Sequence, residues 1–248
     1  MKDNCTTLYP NDIVGQAVSE YADRHSLGFP ARLTDYHAWV LETQERSWFT
    51  VSMLEARFLT WIAHLVGASR VLEVGTFVGF SVAVWADAVG PNGFVTGLER
   101  SPEYAKLARD QLKSRGWHNA QILEGDACEL LNSHAPPQAY DIIFIDAQKS
   151  QYPEYLRSIV DNSKPGSTSR LLRPGGLIIG DNALRSGLVA NQSKANPATK
   201  TVPQQAVNWK WSDVDRLDEF NRALHSDPRL ENFLLPVFDG LGLARLLD

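Results

Sequence analysis

Cysteine is scarce in this chain: Cys5 and Cys128 are the only two among 248 residues. A disulfide framework is therefore excluded, and Cys128 is expected to be a small buried core residue. No run approaches the roughly 18 uninterrupted apolar residues that a membrane-spanning helix needs. The first fifteen residues hold no long apolar core of the kind a secretory signal carries. A reduced, soluble, cytoplasmic protein with no membrane partner is the expectation. Neither sign of charge dominates, since 24 Lys plus Arg oppose 29 Asp plus Glu for a net charge of -5. That balance argues against nucleic acid as the main partner, because phosphate binding wants a basic surface. The six histidines form no H-x-x-x-H pair, and none is assigned to catalysis. The G-x-G-x-x-G turn of dinucleotide binders is missing, which disfavours a nicotinamide-dependent oxidoreductase. No internal repeat is found.

What remains has the composition of an ordinary globular domain, with 44% hydrophobic and 21% charged residues. The length suits a single α/β domain over residues 1–248. The first third, to about residue 68, reads as helical. Helices are expected over Asp12–His25, Ala31–Ser47 and Met53–Val66; in the last, Leu54, Phe58, Ile62 and Val66 form an apolar stripe. From Arg70 onward, short apolar runs alternate with helical patterns. The runs are 71–75, 93–99, 120–126, 140–146 and 176–181. Runs of this kind suit strands buried on both faces of a parallel sheet, so the reading is a doubly wound α/β fold. Ser101 and Pro102 announce a helix that Gly116 can close. Ser212 and Asp215 have capping-box spacing for a helix over Ser212–His225. A terminal hairpin is expected from segments 234–240 and 241–247 around Asp239-Gly240. Residues 161–169 and 190–210 read as loops, the second polar with Pro197 and Pro203.

The chemistry-bearing residues gather at the ends of the runs. Glu73-Val74-Gly75-Thr76-Phe77-Val78-Gly79-Phe80-Ser81 leads from the first run into a helix. Its glycines admit close approach of a ligand, and the helix start offers free N–H groups. Glu99 ends the second run, where an acid can accept hydrogen bonds from both ribose hydroxyls. Asp126 ends the third, where an adenine amino group could be read. Open α/β sheets bind ligands at these carboxyl ends. The fourth and fifth runs end in Asp146 and in Asp181-Asn182. Two carboxylates and an amide oxygen are hard donors, suited to Mg²⁺, Mn²⁺ or Ca²⁺. Lys149, three residues beyond Asp146, could serve as a base beside a metal and a cationic cofactor. The seven tryptophans are read as core or substrate-pocket walls.

Taken in order, V-L-E-V-G-T-F-V-G-F-S at 71–81, G-D-A at 125–127, Y-D-I-I-F-I-D-A-Q-K at 140–149 and L-R-P-G-G-L-I-I-G-D-N at 172–182 resemble the cation-dependent, caffeoyl-CoA-type O-methyltransferases, relatives of the catechol O-methyltransferases. D-P-R-L-E at 227–231 and L-P-V-F-D-G at 235–240 extend the resemblance, which runs from about Phe49 to the C-terminus. It implies a Rossmann-like, seven-stranded, mostly parallel sheet with a reversed last strand and helices on both faces, the class I methyltransferase fold. It implies S-adenosylmethionine as methyl donor, S-adenosylhomocysteine as product, a divalent cation such as magnesium, and a catechol-like small-molecule phenolic acceptor. The cofactor set so implied is Glu73, Gly75, Phe77, Ser81, Glu99, Arg100, Asp126, Ala127, Asp146 and Gln148. Asp146, Asp181 and Asn182 match the metal ligands, and Lys149 with Asp146 the catalytic pair. A homodimer is the corresponding expectation, with the N-terminal helices and the 190–210 segment shaping the acceptor pocket. Three positions depart from the family pattern. Gln148 stands where the family often has an acid that helps hold the cofactor's amino group. Arg185 replaces a common aromatic, and Val51 a threonine near the metal. A metal-independent methyltransferase and a non-catalytic cofactor-binding protein are the alternatives.

Overall fold

In the computed structural model, which describes residues 11–167, 169–205 and 210–248, three helices come first: α1 (Asp12–Arg24), α2 (Ala31–Thr43) and α3 (Met53–Leu65). There follow β1 (Arg70–Val74), α4 (Phe80–Ala88), β2 (Phe94–Glu99), α5 (Pro102–Ser114), β3 (Ala120–Glu124), α6 (Ala127–Ser133) and β4 (Tyr140–Ile145). The chain ends with α7 (Tyr152–Asp161), β5 (Leu172–Gly180), α8 (Ala198–Gln205), α9 (Ser212–Ser226), β6 (Leu230–Leu235) and β7 (Leu241–Leu246). Among the described residues the strands form one seven-stranded sheet in the order β3-β2-β1-β4-β5-β7-β6. β1 to β5 pair in parallel, and β7 runs antiparallel to both β5 and β6.

The apolar runs are continuous because both faces of the sheet are covered. Along β4, Ile142 and Phe144 point into a core shared with α2, α3, α4 and α5, while Ile143 and Ile145 point into a second core with α7 and α9. The strand order reverses between β1 and β4, which opens a crevice at their carboxyl ends. The N-terminal helices are fixed onto this frame by polar ties as well. The Tyr36 hydroxyl donates to the Val78 carbonyl, and Arg57 of α3 pairs with Asp23 of α1 at 2.8 Å.

Several expectations are corrected. In α3 the buried face is Glu55, Ala56, Leu59, Thr60 and Ala63, so the stripe of Leu54, Phe58, Ile62 and Val66 lies half-buried at its margin. Helix α3 lies over α4, and the smaller residues permit that approach. Helix α2 stops at Thr43 and gives way to a short 3-10 turn over Ser47–Phe49. Ser212 is the first helical residue of α9 and not its cap; Trp211 holds that position without a side-chain hydrogen bond. Segment 190–210 is not all loop, since α8 lies in it. Strand β6 begins at Leu230, and its connection to β7 spans residues 236–240. Cys128 is half-buried in α6, and Cys5 lies outside the described residues. Among the described residues no helix is long and apolar enough to cross a membrane.

Candidate active site

The turn from β1 to α4 lies at the centre of the crevice. Gly75 has φ +91°, and a Cβ there would stand 2.6 Å from the Asp146 carbonyl oxygen and 2.8 Å from Ala147 Cα. Only glycine lets this turn press against the tip of β4. Glu99 folds back over the same turn. Its Oε2 accepts from the Phe77 N–H at 2.9 Å and the Thr76 N–H at 3.3 Å, and its Oε1 from the Ser101 N–H at 2.8 Å. Phe77, at φ +49°, packs its ring edge-on against Tyr104. Below the turn, Glu73 is fully buried, and its Oε1 accepts from the Ser81 hydroxyl at 2.6 Å. Its Oε2 has no hydrogen-bond partner. Burial drives the Glu73 carboxyl well above the usual range, against the pull of the Ser81 bond. No side chain caps α4 at Gly79, so its first N–H groups have no side-chain acceptor. On the far side, Asp126 caps α6 by accepting from the Cys128 N–H at 2.9 Å, with Ala127 next to it.

Asp146 and Asp181 stand side by side because the ladder carries on one step past the strand ends. The Asp146 N–H donates to the Val74 carbonyl and the Asp181 N–H to the Ile145 carbonyl, each at 2.9 Å. The Lys149 ammonium donates to Asp146 Oδ1 and to the Tyr152 hydroxyl, both at 2.7 Å. Tyr152 in turn lies within 3.0 Å of the Asp181 carbonyl and 2.9 Å of the Ile145 carbonyl. Burial, reinforced by Asp146 and Asp181, lifts Tyr152 far above the phenol range, so it stays a neutral post for Lys149. Asp181 is 4% exposed, and its Oδ1 accepts from the Asn182 N–H at 2.6 Å. Asn182 has φ +55° and leads a run of left-handed residues with Arg185 and Ser186. The Asp239-Gly240 segment holds this run in place. Ala183 N–H donates to Gly240 O at 2.8 Å and Leu184 N–H to Asp239 O at 3.0 Å, and the Asp239 carboxylate accepts from the Ser186 N–H.

One residue at this site escaped the sequence reading. Glu55, on the buried face of α3, is 4% exposed and faces Asp181 and Asp146. Burial and then those two charges push its carboxyl upward; burial and then Asp146 do the same to Asp181. These acids strain against full ionisation without a cation. Among the described residues no three His, Cys, Asp or Glu side chains already stand close enough to grip an ion. The hard-oxygen set of Asp146, Asp181 and the Asn182 amide, with the buried Glu55 carboxyl behind it, one oxygen of which has no hydrogen-bond partner, nevertheless fits a divalent cation. Two sequence-derived residues sit apart from this cluster: Arg100 is exposed, and Gln148 is exposed and donates to the Ser150 hydroxyl at 2.9 Å. Val51 is buried. A groove of about 1170 Å³ between α1, α3 and residues 236–238 contains none of the sequence-derived site residues.

A parallel sheet with a reversed β7, a glycine turn after β1 and acids on the neighbouring strand tips defines a class I methyltransferase. The chain belongs to the O-methyltransferase family, whose model matches residues 33–247, and it is an S-adenosylmethionine-dependent enzyme of that family. Caffeoyl-CoA O-methyltransferase 2 of Populus trichocarpa is 30% identical over 86% of this chain and 78% of its own. A catechol O-methyltransferase of Niastella koreensis is 34% identical over 79% of this chain and 81% of its own. The crystal structure of the Podospora anserina methyltransferase PaMTH1, bound to S-adenosylhomocysteine, superposes with a TM-score of 0.82 at 26% identity, covering 98% of this chain and 99% of that one.

Proposed function

We propose that the enzyme methylates one hydroxyl of a vicinal dihydroxy aromatic small molecule, with a divalent cation, in the first place Mg²⁺, held by Asp146, Asp181 and Asn182. The observation that carries the reading is the pair of Asp146 and Asp181 at adjacent strand tips, with Lys149 2.7 Å from Asp146. The names of the caffeoyl-CoA and catechol relatives support the acceptor class. When bound, the cation would supply Lewis acidity that makes an acceptor hydroxyl more acidic.

The protein's own groups do the rest. Glu73, Gly75, Phe77 and Ser81 line the donor's methionine end, Glu99 and Arg100 the ribose, and Asp126 with Ala127 the adenine. Asp146 and Gln148 border the amino group, Gln148 more weakly than an acid would. Glu99 bonds the turn's own N–H groups, which holds its carboxylate beside the glycine turn and supports the ribose assignment. Lys149, held in place by Asp146 and Tyr152, takes up the acceptor's proton as the neutral amine, after its ammonium has first given a proton to solvent. Keeping acceptor oxygen, methyl carbon and sulfur in line supplies much of the acceleration.

Product formation from catechol and from a caffeoyl ester, with and without chelator, tests the reading. Turnover is expected to stop on metal removal and to return with Mg²⁺ or Mn²⁺; unchanged turnover in fully metal-free enzyme would refute the cation's role. Asp181→Ala and Asn182→Ala are expected to lower kcat/KM by roughly 100-fold or more while sparing donor binding. Equal loss of both would remove them from the cation set.

A further inference from the structure

We propose that Glu55 is a further anionic group of the cation site, contributed by the N-terminal helical layer and acting on the ion through a water of its hydration shell. The inference rests on the metal reading above. Ser52 and Glu55 have the S-x-x-E spacing in which the glutamate normally reaches back to cap its own helix. Half of that box is present, since Ser52 Oγ accepts from the Glu55 N–H at 3.2 Å. The reciprocal bond is not made. The Glu55 side chain turns inward instead, 4% exposed, with Oε1 lacking any hydrogen-bond partner. A buried carboxyl oxygen without a partner is costly, by about 1–3 kcal/mol or more, so a role confined to packing is a poor explanation.

What the carboxyl faces narrows the role. Asp181 and Asp146 are both anionic neighbours, and the nearby cation, Lys149, is already bonded to Asp146 and Tyr152. The group therefore looks onto negative charge that a divalent ion would neutralise. Among the described residues the three acids do not form a ready-made cage for an ion, although Glu55 lies close enough to Asp181 for their carboxyls to share a hydrogen bond. Mg²⁺ keeps several of its waters in protein sites, and a carboxylate beyond the ligands engages it through them. One consequence is structural: packing α3 against α4 is what would bring the Glu55 charge to the ion.

The test measures Mn²⁺ affinity in the presence of saturating S-adenosylhomocysteine, by calorimetry and by the electron paramagnetic resonance of free Mn²⁺. Glu55→Gln keeps the shape and removes the charge; Glu55→Asp keeps the charge and withdraws it. Glu55→Gln is expected to weaken Mn²⁺ binding by roughly 10- to 100-fold with S-adenosylhomocysteine affinity unchanged, and Glu55→Asp to fall between it and the wild type. Equal Mn²⁺ affinity in Glu55→Gln and wild type would overturn the inference alone. So would a matching loss of S-adenosylhomocysteine affinity, which would put Glu55 on the donor side. Should the Gln variant fail to fold, unchanged Mn²⁺ affinity in Glu55→Asp would overturn it. A wild-type protein that binds the donor but no Mn²⁺ would remove the metal reading itself.

Discussion

Lys149 is held from two sides, by a carboxylate and by a buried phenol that cannot ionise at neutral pH. Replacing it with alanine should lower kcat by about 10²- to 10⁴-fold while the S-adenosylmethionine Kd stays within a few-fold. A loss seen only in donor affinity would move Lys149 out of the proton-transfer role. Asp141, at the opposite end of β4, does a purely structural job. Burial opposes its charge, but Arg173, the Ser69 N–H and hydroxyl, and the Arg70 N–H all bond it and bring it below the usual carboxylate range. A depressed carboxyl stabilises the fold above its unfolded pKa and loses that contribution as pH falls through the folded one. Asp141→Asn should therefore cost about 1.5–3 kcal/mol at pH 7, and the gap to wild type should close as pH drops below about 4. Urea midpoints across that range check it; a constant gap would mean the charge is not what matters. At this scale the sequence was informative where a polar residue ends an apolar run, as with Asp146, Asp181 and Asn182. Glu55 was hidden because it lies off the apolar stripe read for its helix and ends no apolar run, and only the fold turns its side chain toward Asp181.

Elements were legible in proportion to how far their own residues dictate them. Strand β4, apolar but for Asp141, is buried along its whole length, and Ser101 caps α5 as its sequence promises, accepting from the Tyr104 N–H. Strand β6 starts with alternating Leu230, Glu231, Asn232 and Phe233 on the sheet's edge, so its first half carries no strong burial signal. The offset face of α3 was unreadable because Ala56, Thr60 and Ala63 are small, and hydropathy weighs Phe58 and Ile62 more heavily than the close approach to α4. The β6–β7 connection yields a sharper test. Gly240 has φ +91°, and a Cβ there would lie 2.7 Å from Leu184 N and 2.5 Å from Leu184 Cγ. Gly240→Ala must push the 182–186 run outward or strain itself, at a cost of about 2–4 kcal/mol. Since Asn182 rides on that run, Mn²⁺ affinity should fall while S-adenosylhomocysteine affinity, governed by the turn after β1, stays within a few-fold. Loss of donor affinity in parallel would show that the two connections are not separable.

Across the whole molecule, the proposed donor side lies on the tips of β1, β2 and β3 and the proposed cation side on β4 and β5, within one sheet and on either side of the point where strand order reverses. The bonds that shape both halves come from the chain itself: Glu99 is bonded to the turn after β1, and Asp146 and Asp181 are aligned by the ladder. Each ligand should then stabilise the fold by mass action alone, with little ordering to offset it. At 100 times its Kd, S-adenosylhomocysteine should add about 2.7 kcal/mol, which for a chain of this size raises Tm by roughly 5–10 °C. Mg²⁺ at the same multiple of its own Kd should give a comparable rise in wild type, and none in Asp181→Ala. The S-adenosylhomocysteine rise should survive in Asp181→Ala, because no β1 or β2 group depends on that carboxylate. Scanning calorimetry with each ligand separately and together decides the matter. If Asp181→Ala abolished both rises, the crevice would have to assemble as one unit on ligand binding, and its division at the sheet's switch point would be wrong.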